Sequence, residues 1–261
     1  MFYIGNSIIR NGAIAPLSEQ TETGVDGEIY EMFRVENGRP VFLPDHLSRY
    51  AASIRSAGRP LPDCFDRLPS LIEWLCICNQ LPNNEIRLCL SPDGLFQGGF
   101  VTSVYPTPQM YAEGVHCVLL HDTRQMPNAK IYHAEMRQNA HNQQLEADAY
   151  ESILVNGEGK ITEGSRSNIF FVSGHTLVTA PDSLVLKGIM RQKVLEVAAR
   201  KGIDVKFEAV DQNAVDKYDA AFISSTPARI LPIKSITTCN YCRNNDIIAS
   251  ISQGVAELIS K

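Results

Sequence analysis

Three groups of residues in this chain have types and spacings suited to one chemistry. The run Ile161-Thr162-Glu163-Gly164-Ser165-Arg166-Ser167-Asn168-Ile169-Phe170-Phe171-Val172 puts a carboxylate and small polar side chains at the mouth of an apolar strand. Upstream, Lys130 follows a Pro-Asn-Ala break; downstream, Leu186-Lys187-Gly188-Ile189-Met190-Arg191 opens a helical pattern. An amine can form a Schiff base, a carboxylate can hold a ring nitrogen, and a helix N-terminus can cradle a phosphate. Together these are the needs of pyridoxal phosphate (PLP).

The elements that must position them are short and mixed. Glu28 to Glu36 reads as a strand, and Asn37-Gly38 as a hairpin turn with Val41-Phe42-Leu43 as the returning partner. Asp45 is the expected N-cap of a helix through Arg49 and Ile54, and Phe65 to Cys78 carries apolar residues at helical spacing. Ile86 to Leu90 and Val115 to Leu120 read as strands. A helix is expected at about Ala134 to Asp148, then strands at 152–155, 160–162, 168–172 and 176–179. Ile189 to Lys201 is a helix closed by Gly202, followed by strands at 205–209 and 220–224 and a terminal helix from Asp246 to Ser260. The class is α+β: an N-terminal α/β domain over 1–120, a polar linker at 121–130, and a strand-rich C-terminal domain over 131–261.

Composition narrows the function. The 261 residues carry a formal net charge of −5, which gives no footprint for nucleic acid or an anionic membrane. No apolar run is long enough to span a bilayer and the start lacks a secretion signal, so a cytoplasmic protein is expected. The seven cysteines are scattered, and Cys239-Asn240-Tyr241-Cys242 is a lone C-x-x-C without a second pair, read as a hairpin with two thiols. The six histidines have no metal-ligand spacing on a common helix, so no metal site is expected. Gly157-Glu158-Gly159-Lys160 is too short for a P-loop, and Gly164 to Asn168 lacks the final glycine of a nucleophile elbow.

Five blocks, in order and at compatible spacing, resemble the class IV aminotransferases, the PLP fold (fold type IV) of branched-chain aminotransferases, D-amino-acid aminotransferases and aminodeoxychorismate lyase. They are Tyr30-Glu31 through Asp45-His46-Leu47-Ser48-Arg49, Lys130, Glu163 to Phe171, Gly188-Ile189-Met190-Arg191, and Phe222-Ile223-Ser224-Ser225-Thr226. The resemblance implies that Lys130 is the Schiff-base lysine, with Lys187 as its rival, and that the same amine moves a proton between substrate Cα and cofactor C4′. It implies that Glu163 contacts the pyridine nitrogen and that Ser165, Ser167 and Asn168 shape the cofactor loop. The phosphate would meet Arg49, the backbone of Gly188, Ile189 and Met190, and the Ser225-Thr226 pair. Substrate would meet Tyr30 or Phe33, Arg87 and Pro227, in a pocket between the two domains.

The branch is mixed. Ile86-Arg87-Leu88 resembles the strand where branched-chain enzymes carry an arginine near the substrate carboxylate, whereas Tyr30-Glu31 resembles the D-amino-acid branch. Glu135 stands where branched-chain enzymes have a tyrosine, and the Arg-Gly of the lyase branch is missing. The expected activity is transamination between an amino acid, an apolar L-amino acid first, and a 2-oxo acid, by a homodimer. Aminodeoxychorismate lyase, a D-amino-acid transaminase and a catalytically idle PLP-binding relative are the alternatives.

Overall fold

A computed structural model of the chain describes residues 1–242 and 244–260. Two compact units emerge: 1–104 with 129–134, and 105–128 with 135–261.

The first unit is a six-stranded antiparallel sheet with two helices. Its elements are β1 (Ile4–Arg10), β2 (Ala13–Pro16), β3 (Ile29–Glu36), β4 (Arg39–Pro40), α1 (Leu43–Ser56), α2 (Leu68–Asn79), β5 (Asn84–Leu90) and β6 (Phe96–Val101). The strand order is β2-β1-β6-β5-β3-β4. Leu47, Tyr50, Ala51 and Ile54 make the buried stripe of α1, at the spacing one helix face requires. Leu47, Tyr50 and Ile54 join Phe33, Ile72 of α2, Ile86, Leu88 and Phe100 in one apolar core. A side chain as fully buried as Ile54 contributes roughly 1.5–3 kcal/mol.

Two expectations at the start of α1 are corrected. The strand foreseen at 41–43 is absent because Phe42 takes a left-handed conformation (φ 53°) and Pro44 sits in the first helical turn. The helix therefore starts at Leu43, with Phe42 rather than Asp45 at its N-cap.

The second unit holds α3 (Pro108–Glu113), β7 (Val115–His121), α4 (Ala134–Glu146), β8 (Glu151–Val155), β9 (Ile161–Gly164), β10 (Asn168–Ser173) and β11 (Thr176–Thr179). They are followed by α5 (Ile189–Lys201), β12 (Asp204–Phe207), β13 (Ala220–Ser225), β14 (Arg229–Ile236), β15 (Cys239–Asn240) and α6 (Asp246–Ile259). The sheet runs β12-β11-β10-β13-β14-β7-β8-β9, with β15 on β14. Pairing is mixed, with parallel neighbours at β11/β12, β14/β7 and β7/β8. Ile169, Phe171, Ile223, Leu231 and Ile233 build its core.

The division between units differs from the linker read at 121–130. β7 pairs with β14 and β8, which takes 105–121 into the second unit. The segment 129–134 rejoins the first unit through an antiparallel bridge between Ile29 and Ile131. Among the described residues, no helix is long and apolar enough to cross a membrane, and no group of three or more His, Cys, Asp or Glu side chains is placed to hold a metal.

Candidate active site

Lys130 is fixed by its backbone. Its N–H donates to Ser53 Oγ at 3.0 Å, and its carbonyl accepts from Tyr30 N–H at 3.0 Å. The lysine is thereby tied to α1 on one side and to β3 on the other. Its amine lies 4.7 Å from the centroid of the Tyr30 ring.

The alternation of β3 separates the two aromatic residues considered for the substrate. Tyr30 is paired with Cys89, and Phe33 with Ile86. Successive side chains point to opposite faces. Phe33 is fully buried in the core, 5.6 Å from the His46 ring, so it is a packing residue, and of the two only Tyr30 lies beside the Lys130 amine. Met32, opposite Arg87, is on the Tyr30 face, a placement that its residue type does not signal.

Glu31 shares the core face with Phe33 and meets α1. Its carboxylate accepts from Arg49 Nε at 2.9 Å and Nη2 at 2.6 Å, and from His46 Nδ1 at 3.0 Å. Arg49 is thus held in a fork-like pair with Glu31, and its contact with a phosphate stands as a proposal. Burial works against the Glu31 charge, but Arg49 and then His46 outweigh it and hold the carboxyl well below the usual range. Burial also lowers His46, against the pull of Glu31, so the imidazole is neutral at pH 7.

Glu31→Ala should therefore cost about 3–5 kcal/mol, because it removes the carboxylate that pairs with Arg49 in a buried place. Thermal unfolding at pH 7 checks this. The Glu31 contribution is fully present above the ordinary glutamate value of 4.5 and is lost as pH falls below it. The gap between wild type and variant should accordingly narrow in acid; a gap constant with pH would contradict the ion-pair explanation.

In the second unit, Glu163 lies near the end of β9 and is buried. Its Oε1 accepts from Arg124 Nε at 2.7 Å, and its Oε2 from Leu186 N–H at 3.2 Å and Asn168 Nδ2 at 3.4 Å. Arg124 also donates to the Ser165 carbonyl at 3.0 Å. This arginine sits in the stretch read as a linker, and a single basic residue in a polar run carries no signal in the sequence.

A second buried carboxylate, Glu151, is likewise silent in the sequence. It accepts from Ser165 Oγ at 2.7 Å and Ser167 Oγ at 2.9 Å. The hydroxyl of Ser167 is thereby committed to the loop that presents Glu163 and Asn168.

Asn168 links this loop to the start of α5. Its amide donates to the Leu186 carbonyl at 2.9 Å, and it pairs across the sheet with Ser224. Gly188 caps α5 and lies against Asn168: a Cβ there would come within 2.1 Å of Asn168 Oδ1. The space for a side chain at 188 is filled by the residue that touches Glu163.

The start of α5 suits an anion. Gly188 supplies no side-chain cap, no acidic residue lies in the first turn, and the buried Ile189 and Met190 begin a helix of 13 residues. Such a terminus presents unpaired N–H groups and the positive end of the helix dipole. At the end of neighbouring β13, Ser224 Oγ is buried without a hydrogen-bond partner among the described residues, and Ser225 Oγ accepts from Ala228 N–H at 3.2 Å. Ser225 ends β13, and Thr226 and Pro227 lie in the turn into β14. Backbone N–H groups, serine and threonine hydroxyls and a buried, oriented carboxylate fit the phosphate and ring nitrogen of PLP.

The donor set of the second unit is chemically of the kind that holds PLP. Residues 28–236 match the model of the amino-transferase class IV family, and the chain belongs to that family. Its cofactor is pyridoxal 5′-phosphate; a branched-chain amino acid aminotransferase of the same fold has been solved with pyridoxamine 5′-phosphate. The chain is 29% identical over 247 residues to the D-alanine aminotransferase of Bacillus licheniformis, covering 84% of this chain and 86% of that one. It superposes on the branched-chain aminotransferase of Thermoproteus uzoniensis, solved with norvaline, with a TM-score of 0.84 at 22% identity over 98% of this chain and 96% of that one. The branched-chain amino acid aminotransferase of Escherichia coli gives a TM-score of 0.86 at 18% identity over 98% of this chain and 95% of that one.

Proposed function

We propose that the protein moves an amino group between an amino acid with a small apolar side chain and a 2-oxo acid, as a homodimer, with Lys130 as its catalytic lysine. The observation that carries this reading is the double backbone anchor of Lys130, which fixes the base of one amine beside Tyr30. PLP, when bound, supplies an aldehyde and a ring that accepts electrons from the substrate. With the cofactor bound, Lys130 would hold it and would be the group that moves the substrate Cα proton. Glu163, oriented by Arg124, Asn168 and the Leu186 N–H, is the partner of the ring nitrogen. Ile189 and Met190 N–H groups with Ser225 and Thr226 would receive the phosphate, and the resemblance adds Arg49 as a charged partner.

The handedness of the donor has two supports that differ. Arg87 lies on the strand where the branched-chain resemblance expects a carboxylate partner, but its guanidinium already pairs with Glu28. That weakens the case for an L-amino acid. The likeness to the D-alanine aminotransferase of Bacillus licheniformis favours a D-amino acid.

The test is a half-reaction screen. Purified holoenzyme is mixed with L- and D-alanine and L- and D-leucine, and the long-wavelength cofactor band is followed. Bleaching by alanine of one hand, with pyruvate released, is the expected result. A band that no amino acid bleaches contradicts a transaminase; pyruvate released from aminodeoxychorismate instead would make the enzyme a lyase.

A further inference from the structure

The second unit carries a hollow at the β12 edge of its sheet, and strand alternation builds it. Phe171 pairs with Val178 and Ser173 with Thr176 across β10 and β11, and Val178 pairs with Lys206 across β11 and β12. Residues in register or two apart share a face. The face that begins as apolar core at Phe171 and Val178 therefore ends in Ser173, Thr176 and Lys206. The chain ahead of β13 closes over this rim. The Tyr218 ring packs on Phe171 with centroids 4.9 Å apart, and Lys217 ends the short helical turn at 212–217 beside it. These side chains, with Glu208 and the buried Val178, enclose a cavity of about 230 Å³.

The polar groups of this hollow are uncommitted. Among the described residues, the side chains of Ser173, Thr176, Lys206, Glu208, Lys217 and Tyr218 make no hydrogen bond and no ion pair. The Asp219 carboxylate, next along the chain, is by contrast taken by Gly174 N–H at 2.7 Å. A lone surface lysine without a partner is ordinary. Here two ammonium groups, a carboxylate, a phenol and two hydroxyls converge on one concave place with an apolar base, the mix that orients a small molecule. Burial and then Glu208 push the Tyr218 hydroxyl up, so it is a donor at pH 7. Two lysines against one glutamate leave one positive charge in excess.

We propose that this pocket is a second ligand site, for a small monocarboxylate whose charged end meets Lys206 and Lys217 and whose apolar body rests on Tyr218 and Val178. Its volume is below the roughly 300–1,000 Å³ of pockets for drug-sized ligands, which keeps the ligand small. Glu208 repels a second anionic group, so a dicarboxylate or a phosphate dianion gains less than a monocarboxylate. The site is separate from the cofactor donors. β10 has Asn168 at one end and Ser173 at the other, and its six residues span about 17 Å. β13 likewise runs from Ala220, two residues after Tyr218, to Ser225 at its far end. A ligand here touches neither Glu163 nor the start of α5, and its binding does not depend on the transaminase reading.

Calorimetric titration of the PLP-loaded protein with benzoate is the test, with benzamide as its neutral counterpart and inorganic phosphate as the small dianion. Wild type should bind benzoate saturably, and benzamide about fivefold more weakly or worse. Lys206 and Lys217 are both exposed, so the double variant Lys206→Gln, Lys217→Gln should keep its unfolding temperature while its benzoate affinity falls about fivefold or more. Glu208→Gln should improve phosphate binding relative to benzoate by about threefold or more. No saturable binding by about 10 mM benzoate overturns the proposal, as does equal binding of benzamide. Benzoate affinity unchanged in the double variant also overturns it, since the probe then sits elsewhere. Phosphate binding more tightly than benzoate to wild type overturns the choice of a monocarboxylate. An amino-acid half-reaction that fails in wild type takes down the transaminase reading and leaves this site standing.

Discussion

Lys130→Ala should lack the long-wavelength cofactor band and lose transamination by a factor of at least about 10⁴, since in the proposed reaction one side chain serves as both covalent anchor and proton carrier. The fold should survive. The backbone contacts of residue 130, to Ser53 Oγ and from Tyr30 N–H, do not involve the lysine side chain. Circular dichroism and the unfolding temperature should therefore stay near the wild-type values while activity disappears. Lys187→Ala is the comparison. Its amine is about half exposed and pairs with Asp182 at 3.2 Å, a surface contact worth little. That variant should keep both the band and the turnover. Full activity in Lys130→Ala would remove the residue from the chemistry.

Glu163→Gln should lower the half-reaction rate by about 10²–10³, the size of effect seen when one oriented electrostatic partner of a transition state is lost. It should also destabilise the second unit by about 3–5 kcal/mol, because the buried Arg124 loses its carboxylate. The two effects are separable. Glu163→Asp keeps the charge, so it should recover stability more fully than rate, since a shorter side chain cannot meet Arg124 and a ring nitrogen at the same distances. A variant with a low unfolding temperature and a wild-type half-reaction rate would show that Glu163 serves only to hold Arg124.

Much of the second unit is legible because its signals are local. The run from Asn168 to Val172 is uniformly apolar after its first residue, as a strand buried on both faces should be, and β10 occupies 168–173. Ile189 to Lys201 with Gly202 as C-cap matches α5 to the residue. Other strands lack such signals. β6 contains Gly98 and Gly99, which argue against a strand in isolation. Both are required by packing: a Cβ at 98 would lie 2.6 Å from Leu88 Cδ2, and one at 99 would lie 2.7 Å from the Tyr3 ring. β14 contains Pro232, another strand breaker, yet pairs with β13 through the whole of Ala221 to Ser225.

The site shows the same limit. Residue types and order mark Glu163, Asn168 and Gly188, but not that Asn168 fills the space beside Gly188 or that Arg124 and Glu151 hold the loop. Those partners come from other strands and segments, and tertiary contact is invisible to periodicity. Phe33 is attractive in sequence as an aromatic residue near Tyr30; the two-residue repeat of β3 sends it into the core. The charge of Arg87 is visible in sequence, but its cancellation by Glu28 is not.

The most direct measurement is peptide mapping of the PLP-loaded enzyme after borohydride reduction. The pyridoxyl group should be found on the ε-amine of Lys130 and on no other lysine. Recovery of the label on Lys187, or on any peptide without residue 130, would contradict the assignment on which the proposed activity stands.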